Sequence, residues 1–203
     1  MKKIMFNDKY GLTDAVLKGE KTMTRRIVPI DLYNRTDWKA VEDGRYYAVE
    51  NDGDYLDIRC CGNYRIGEVV AVAQSYQTIE KEIRSLGLPL DLKEGIAKHK
   101  GYTNKMFVKA SDMPHQIRIT DVSVERLQDI SDEDCLKEGI VVDAHRQVLS
   151  DDIYMFEVNG KHYIQWHFYN PREAFAALID KVGKKGTWDS NPWVFAYSFE
   201  LVS

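Results

Sequence analysis

Three extended segments that lie far apart in the chain constrain its fold most. They are residues 64–76 (YRIGEVVAVAQSY), 116–127 (QIRITDVSVERL) and 193–201 (WVFAYSFEL). Each is rich in β-branched or aromatic residues, which favour strands, and the Val-Val-Ala-Val-Ala run of the first is long enough for a buried strand. Short strands with distant partners and a few capping helices predict an α+β domain built around a small β-barrel.

Three helices are predicted from apolar spacing and capping residues. They span residues 12–18, 132–138 and 172–182. Ser131 is placed to cap the second, and Asn170 followed by Pro171 introduces the third. A glycine follows each helix and is its expected end, because glycine adopts a left-handed conformation without strain.

The remaining segments have weaker patterns. Further extended segments are expected at residues 22–30 and 105–110, and a hairpin is expected from YYAVE and YLDIRC within residues 31–63. Residues 77–105 are predicted as a surface insertion with one short helix near 79–86, and residues 184–191 as a loop. No repeat or linker divides the chain, so we expect one domain over residues 1–203, with insertions near 31–63, 77–105 and 144–167.

Composition limits the classes to which the protein can belong. The chain has 203 residues, of which 44% are hydrophobic and 30% charged, as is typical of globular proteins. No apolar run approaches the roughly 20 residues that span a bilayer, so we expect a cytoplasmic protein without a membrane partner. Because its net charge is -4, the protein lacks the overall basic field of a non-specific nucleic-acid binder. Cys60, Cys61 and Cys135 match neither a disulfide framework nor a zinc motif, and we expect reduced thiols.

The most chemically loaded stretch is residues 19–26, GEKTMTRR, which holds three cations and two hydroxyls immediately after the first helix. A glycine-ended helix followed by an extended segment makes a sharp corner, and sites are often built at such corners on a rigid scaffold. Lys18, Lys21, Arg25 and Arg26 form a local basic patch, which any nucleotide or nucleic-acid ligand of this acidic protein requires.

Four patches of the chain resemble the ASCH domain family. They are GEKTMTRR, which looks like the family's G-x-K-x-x-T-x-R, then YRIGEVVAV, residues 119–140 (ITDVSVERLQDISDEDCLKEGI), and WDSNPWVFAYSFEL near the end. The last two resemble the larger phage- and prophage-type members. The resemblance implies a small PUA-like β-barrel related to RNA-binding domains, and a nucleoside or RNA ligand in a pocket at the barrel mouth.

Some ASCH proteins are N4-acetylcytidine amidohydrolases, and the resemblance implies which residues would act here. The family's lysine, threonine and glutamate fall on Lys21, Thr24 and Glu138. In such a site Thr24 would supply the nucleophilic hydroxyl, and Lys21 would serve as its base if burial and the neighbouring arginines lowered its pKa. Glu138 would hold the cytosine edge or carry a proton to the leaving nitrogen. Because residues three apart point to opposite faces of a regular strand, the corner must be irregular for Lys21 and Thr24 to converge.

Other residues are candidates for binding, and other functions stay open. Arg25 and Arg26 would bind phosphate or pair with carboxylates, and Trp188, in a loop, is the candidate stacking platform. His162 and His167 lack the spacing of a helical zinc site, so neither a metal nor another cofactor is predicted. The alternatives are a non-catalytic RNA-binding or regulatory module and a mobile-element interaction protein that uses its insertions. The sequence leaves the oligomeric state open.

Overall fold

The computed structural model describes residues 1–40, 46–50, 55–56, 61–87, 96–143, 152–161 and 167–202. The strands are β1 (Lys3–Ile4), β2 (Met23–Ile27), β3 (Thr36–Ala40), β4 (Tyr46–Glu50), β5 (Tyr55–Leu56), β6 (Val69–Val72), β7 (Gln116–Arg126), β8 (Val141–Val142), β9 (Tyr154–Met155) and β10 (Trp193–Leu201). The helices are α1 (Leu12–Leu17), α2 (Ile30–Arg35), α3 (Tyr76–Ser85), α4 (Asp132–Lys137), α5 (Pro171–Val182) and α6 (Thr187–Ser190).

The main sheet has five strands in the order β1-β6-β7-β10-β2. β1 is parallel to β6, and the other neighbours are antiparallel. The three strands predicted most strongly from sequence, now β6, β7 and β10, are therefore its three central members. A mixed sheet with helices agrees with the predicted α+β class. The predicted closed barrel is not found in the described residues, where β1 and β2 are the two edges of the sheet.

Both faces of the sheet are covered at β6. Val70 and Val72 belong to the main core, whereas Ala71 and Ala73 belong to a second cluster. Since successive strand residues point to opposite faces, the two clusters lie on the two sides of the sheet. The second cluster includes Ile79 of α3, so part of the predicted surface insertion is buried.

The helices predicted at residues 12–18, 132–138 and 172–182 are confirmed as α1, α4 and α5. The side chains of Ser131 and Asn170 accept hydrogen bonds from the first turns of α4 and α5, as their sequence positions predicted. The predicted hairpin is found as the antiparallel pair β4–β5. Its Asn-Asp-Gly-Asp turn, residues 51–54, lies outside the described residues.

Two predicted segments differ from the structure. Residues 105–110, expected as a strand, instead form 3₁₀ turns at Lys105–Phe107 and Ala110–Asp112. The side chain of Asn104 caps the first turn, and Phe107 is half exposed, so this segment does not join the sheet. Residues 184–191, expected as a loop, contain the short helix α6. Within the described ranges, no helix is both long and apolar enough to cross a bilayer.

Candidate active site

The corner between α1 and β2 is irregular, as convergence of Lys21 and Thr24 requires. Gly19 has a φ of 74°, and the backbone N–H of Lys21 turns back to donate to the carbonyl oxygen of Ala15. The N–H of Thr22 donates to the carbonyl oxygen of Lys137, at the end of α4. Regular strand geometry begins only at Met23, so Lys21 lies outside the strand that carries Thr24.

Lys21 is buried and bonded to Glu138, which lies 117 positions away in sequence. Its Nζ donates to the Oε2 atom and to the backbone oxygen of Glu138, each at 2.6 Å. Glu138 follows α4, where carbonyl oxygens lack helical partners and attract a cation. Lys21 therefore both caps the end of α4 and neutralises the carboxylate of Glu138. The Nζ atom can bind three hydrogen-bonding partners. The two Glu138 oxygens occupy two of these positions, and the third is left for another group.

Burial lowers the pKa of Lys21 below its usual value of 10.5. The carboxylate of Glu138 opposes this shift, while the nearby charges of Arg26 and Arg25 add to it. The net effect favours loss of the proton at a lower pH than for an exposed lysine.

Arg25 is bound by three carboxylates, although only 1% of its side chain is exposed. Its Nε lies 2.7 Å from Glu125 Oε1, its Nη2 3.1 Å from Asp134 Oδ2 and its Nη1 3.2 Å from Glu138 Oε1. Burial opposes its charge, but Glu138, Glu125 and Asp134 together raise the pKa of Arg25 above its usual value. The two oxygens of the Glu138 carboxylate are thus divided between Lys21 and Arg25.

The register of the sheet explains how Arg25 reaches a strand that is not its neighbour. Arg25 on β2 is opposite Ala196 on β10, which is opposite Ser123 on β7. Residues in register share a face, and Glu125 lies on that same face two positions after Ser123. The small side chain of Ala196 leaves room for the guanidinium to cross β10.

A cavity of about 490 Å³ brings the predicted residues together. Its charged and polar lining includes Lys21, Thr24, Arg25, Arg26 and Glu138. Thr24 and Arg25 point to alternate faces of β2 but both line the cavity, so the cavity runs along the edge of the sheet. The Thr24 side chain forms no hydrogen bond with any other described residue, which leaves its hydroxyl for a ligand.

The apolar lining of the cavity comes largely from α5. Four of its residues, spaced i, i+3, i+4 and i+7, line the cavity: Phe175, Leu178, Ile179 and Val182. Phe175 and Leu178 are almost fully buried in the main core, whereas Ile179 and Val182 are half-buried. The last two turns of α5 therefore present an aliphatic stripe to the same space as the charged groups.

The other two predicted binding residues, Arg26 and Trp188, lie in different places relative to the cavity. Arg26 lines the cavity, donates from Nη2 to the carbonyl oxygen of Met5 at 2.6 Å, and lies over the ring of Phe6. Trp188 is not among the cavity residues. It packs edge-on against Phe175, with ring centroids 6.1 Å apart, and Arg172 lies over its ring. Trp188 therefore acts as a packing residue behind α5 and does not face this cavity.

Sequence reasoning missed several residues of the site. Glu125 and Asp134, which hold Arg25, were not singled out, and neither was the α5 stripe. The helical periodicity of α5 was visible, but it does not distinguish core residues from cavity residues. Residues 5–9, which also line the cavity, have no motif that would have marked them.

Metal ligation and disulfide formation are not seen in the described residues. No group of three or more histidine, cysteine or acidic residues there could hold a metal ion, and Cys135 is a free thiol. Burial raises the pKa of Cys135 to about 12. Cys60 and His162 lie outside the described ranges.

Comparisons of the chain with protein-family models, curated proteins and solved structures find no match.

Proposed function

We propose that the cavity binds a nucleobase-containing small molecule and hydrolyses an amide on it, with N4-acetylcytidine as the model substrate. The observation that carries this proposal is the convergence of Lys21, Thr24 and Glu138 on one cavity. A cavity of about 490 Å³ is within the range of small-molecule sites. The resemblance to ASCH amidohydrolases supplies the substrate class, and the side chains supply the groups that amide hydrolysis needs.

The proposed reaction begins with the Lys21 amine in its neutral form. Its two N–H groups continue to donate to the Oε2 atom and the backbone oxygen of Glu138, and its lone pair accepts the proton of the Thr24 hydroxyl. The Thr24 oxygen attacks the acyl carbon, and the C–N bond then breaks as the leaving nitrogen takes that proton. Water hydrolyses the resulting acyl-threonine, releasing the carboxylic acid and restoring the hydroxyl.

Glu138 and Arg25 have supporting roles in this proposal. The Glu138 carboxylate orients Lys21, and each of its oxygens keeps a second lone pair that a nucleobase amine would use. The guanidinium of Arg25 holds Glu138 in place. Because Arg25 is already bound by three carboxylates, the proposal does not use it for phosphate.

The proposal includes membership of the ASCH family, its PUA-like fold and a single domain with insertions. Two of the patches that carry the resemblance meet at the cavity. GEKTMTRR enters the edge strand β2, and the DISDEDCLKEGI segment forms α4, whose end binds Lys21. Motifs that are distant in sequence but adjacent at a cavity are expected of a shared site.

The test is to incubate the purified protein with N4-acetylcytidine and to follow formation of cytidine and acetate. We expect turnover by the natural chain and a loss of at least about 100-fold in Lys21→Ala and Thr24→Ala. Lys81→Ala, which removes an exposed lysine of α3, is the matched control and should keep full activity. Circular dichroism establishes that each variant is folded. Absence of turnover across acylated nucleosides would overturn the proposal.

A further inference from the structure

The aliphatic stripe of α5 is larger than an acetyl group requires. Ile179 and Val182 are only half-buried although they pack on the core, and both line the cavity. Leaving aliphatic surface exposed at a cavity wall is unfavourable unless a ligand covers it. The ligand should therefore carry an apolar part that reaches the last two turns of α5.

The chemistry of an acylated nucleobase indicates which part this is. A nucleobase edge carries donors and acceptors, which match the charged groups of β2 and the end of α4. An aliphatic acyl chain carries none beyond its carbonyl, and it gains free energy by leaving water for an apolar wall. The aromatic rings near the cavity are already occupied: Lys21 and Arg26 lie over Phe6, and Trp188 packs edge-on against Phe175.

We propose that the acyl group of the substrate is longer than acetyl, and that Ile179 and Val182 are the residues that select it. This inference rests on the proposed function. It names the substrate class as cytidines that carry an aliphatic acyl group of butanoyl size or larger. With the carbonyl carbon at Thr24, the chain extends along α5 from Leu178 toward Val182.

Binding is measured by calorimetry on Thr24→Val, which lacks the nucleophile and so reports affinity without turnover. The probes are N4-acetyl-, N4-butanoyl- and N4-hexanoylcytidine. We expect the affinity to increase about two- to fourfold for each added methylene that is buried. An affinity that is flat or falls with chain length would overturn the inference.

The selecting residues are tested by Ile179→Ala in the same background. We expect it to weaken binding of the hexanoyl compound about tenfold and to leave the acetyl compound nearly unchanged. Ile83→Ala, a partly buried isoleucine on α3 outside the cavity, is the matched control and should change neither. Equal losses for both compounds would contradict a selecting role.

The two proposals fail in different ways. Turnover by the natural chain with no preference for longer acyl groups would overturn the inference and leave the proposed function in place. Affinity that rises with chain length on Thr24→Val, without turnover of any compound by the natural chain, would overturn hydrolysis and leave the acyl-binding wall. If none of the compounds binds, both are wrong.

Discussion

Lys21 has one observed role, as a helix cap, and one proposed role, as a base, and the two must be distinguished at the level of the single residue. It caps the end of α4 through the Glu138 carbonyl oxygen, and this alone would explain its burial. A structural cap needs only the ammonium form, whereas a base needs the neutral amine. The pH dependence of activity separates the two roles, because only the second requires loss of the proton.

We predict that kcat/KM rises with pH to a plateau whose apparent pKa lies below the lysine value of 10.5. Below that pKa Lys21 is an ammonium and has no lone pair for the Thr24 proton. Between that pKa and 10.5 the folded chain binds fewer protons than the unfolded chain, so this group also makes stability rise with pH across that window. Initial rates on N4-acetylcytidine, corrected for hydrolysis without protein, give the profile. Activity that falls across the window would show that the ammonium is the working form.

Arg25→Ala should be the most destabilising single change in the site. It would leave the carboxylates of Glu138, Glu125 and Asp134 close together without their shared cation. Removing one partner of a buried ion pair costs about 3–5 kcal/mol in the free energy of unfolding. Urea denaturation of the natural chain and the variant at neutral pH measures the difference.

The loss caused by Arg25→Ala should shrink as pH falls. Without the guanidinium, which lowers the pKa values of Glu125 and Asp134, burial raises the pKa values of these two carboxyl groups relative to the natural chain. The folded variant therefore takes up protons at a higher pH than the folded natural chain, and its stability relative to the natural chain improves on acidification. A difference that is constant with pH would show that lost packing of the side chain, not charge, is responsible.

At the level of secondary-structure elements, the six-residue helix α4 and its C-terminal end supply carboxylates to both buried cations of the site. Asp134 contacts Arg25 from within the helix, and Glu138 contacts Lys21 and Arg25 from its C-terminal end. The only described side-chain cap at its first turn is Ser131, which accepts a hydrogen bond from the Asp134 N–H at 3.1 Å. The position of the site therefore depends on whether this short helix is fully formed.

Ser131→Ala should lower both stability and activity, since it removes the cap of α4. We expect a loss of about 1 kcal/mol in the free energy of unfolding, and a fall in kcat because Glu138 is less firmly placed. Ser75→Ala is the matched control: Ser75 caps α3 in the same way, and α3 does not line the cavity. It should lose similar stability and keep kcat. Equal kcat in both variants would contradict the dependence on α4.

The elements were predictable where local chemistry decides them. Ser131 before α4 and Asn170 before α5 are capping residues that act through neighbouring backbone groups, so sequence spacing is sufficient. The strand predicted for the segment KMFVKA was wrong. Its apolar residues favour a strand, but Asn104 caps a 3₁₀ turn there and Phe107 is half exposed. Whether an apolar residue joins a sheet depends on available strand partners, which local spacing does not report.

Across the whole molecule, the net charge argues against a general RNA-binding role. The chain carries -4, and Arg25, one of the two arginines of the basic patch, is bound by carboxylates. We predict no retention of single-stranded RNA at physiological salt in a filter-binding assay, because phosphate contacts dominate such binding. Retention that Arg26→Ala abolishes, and that weakens with salt, would instead support the RNA-binding module.

The site was predictable only in part, for a reason that concerns the whole fold. The resemblance to the ASCH motif indicated Lys21, Thr24 and Glu138, and the structure brings all three to one cavity. The contact from Arg25 to Glu125 depends on the register of three strands and on a small residue, Ala196, in the middle one. No local pattern contains that information. Trp188 was singled out for its exposed-looking surroundings, but packing against Phe175 sets its position.

The 117-residue separation between Lys21 and Glu138 has a consequence for how the site assembles. Closing so long a loop is entropically costly, and contacts of this kind form late during folding. Chains released from a denaturant should regain helical signal before they regain any turnover. A nascent chain that ends before α4 would lack Glu138 and the helix end that Lys21 caps. Without these partners, burial of the Lys21 side chain is unfavourable.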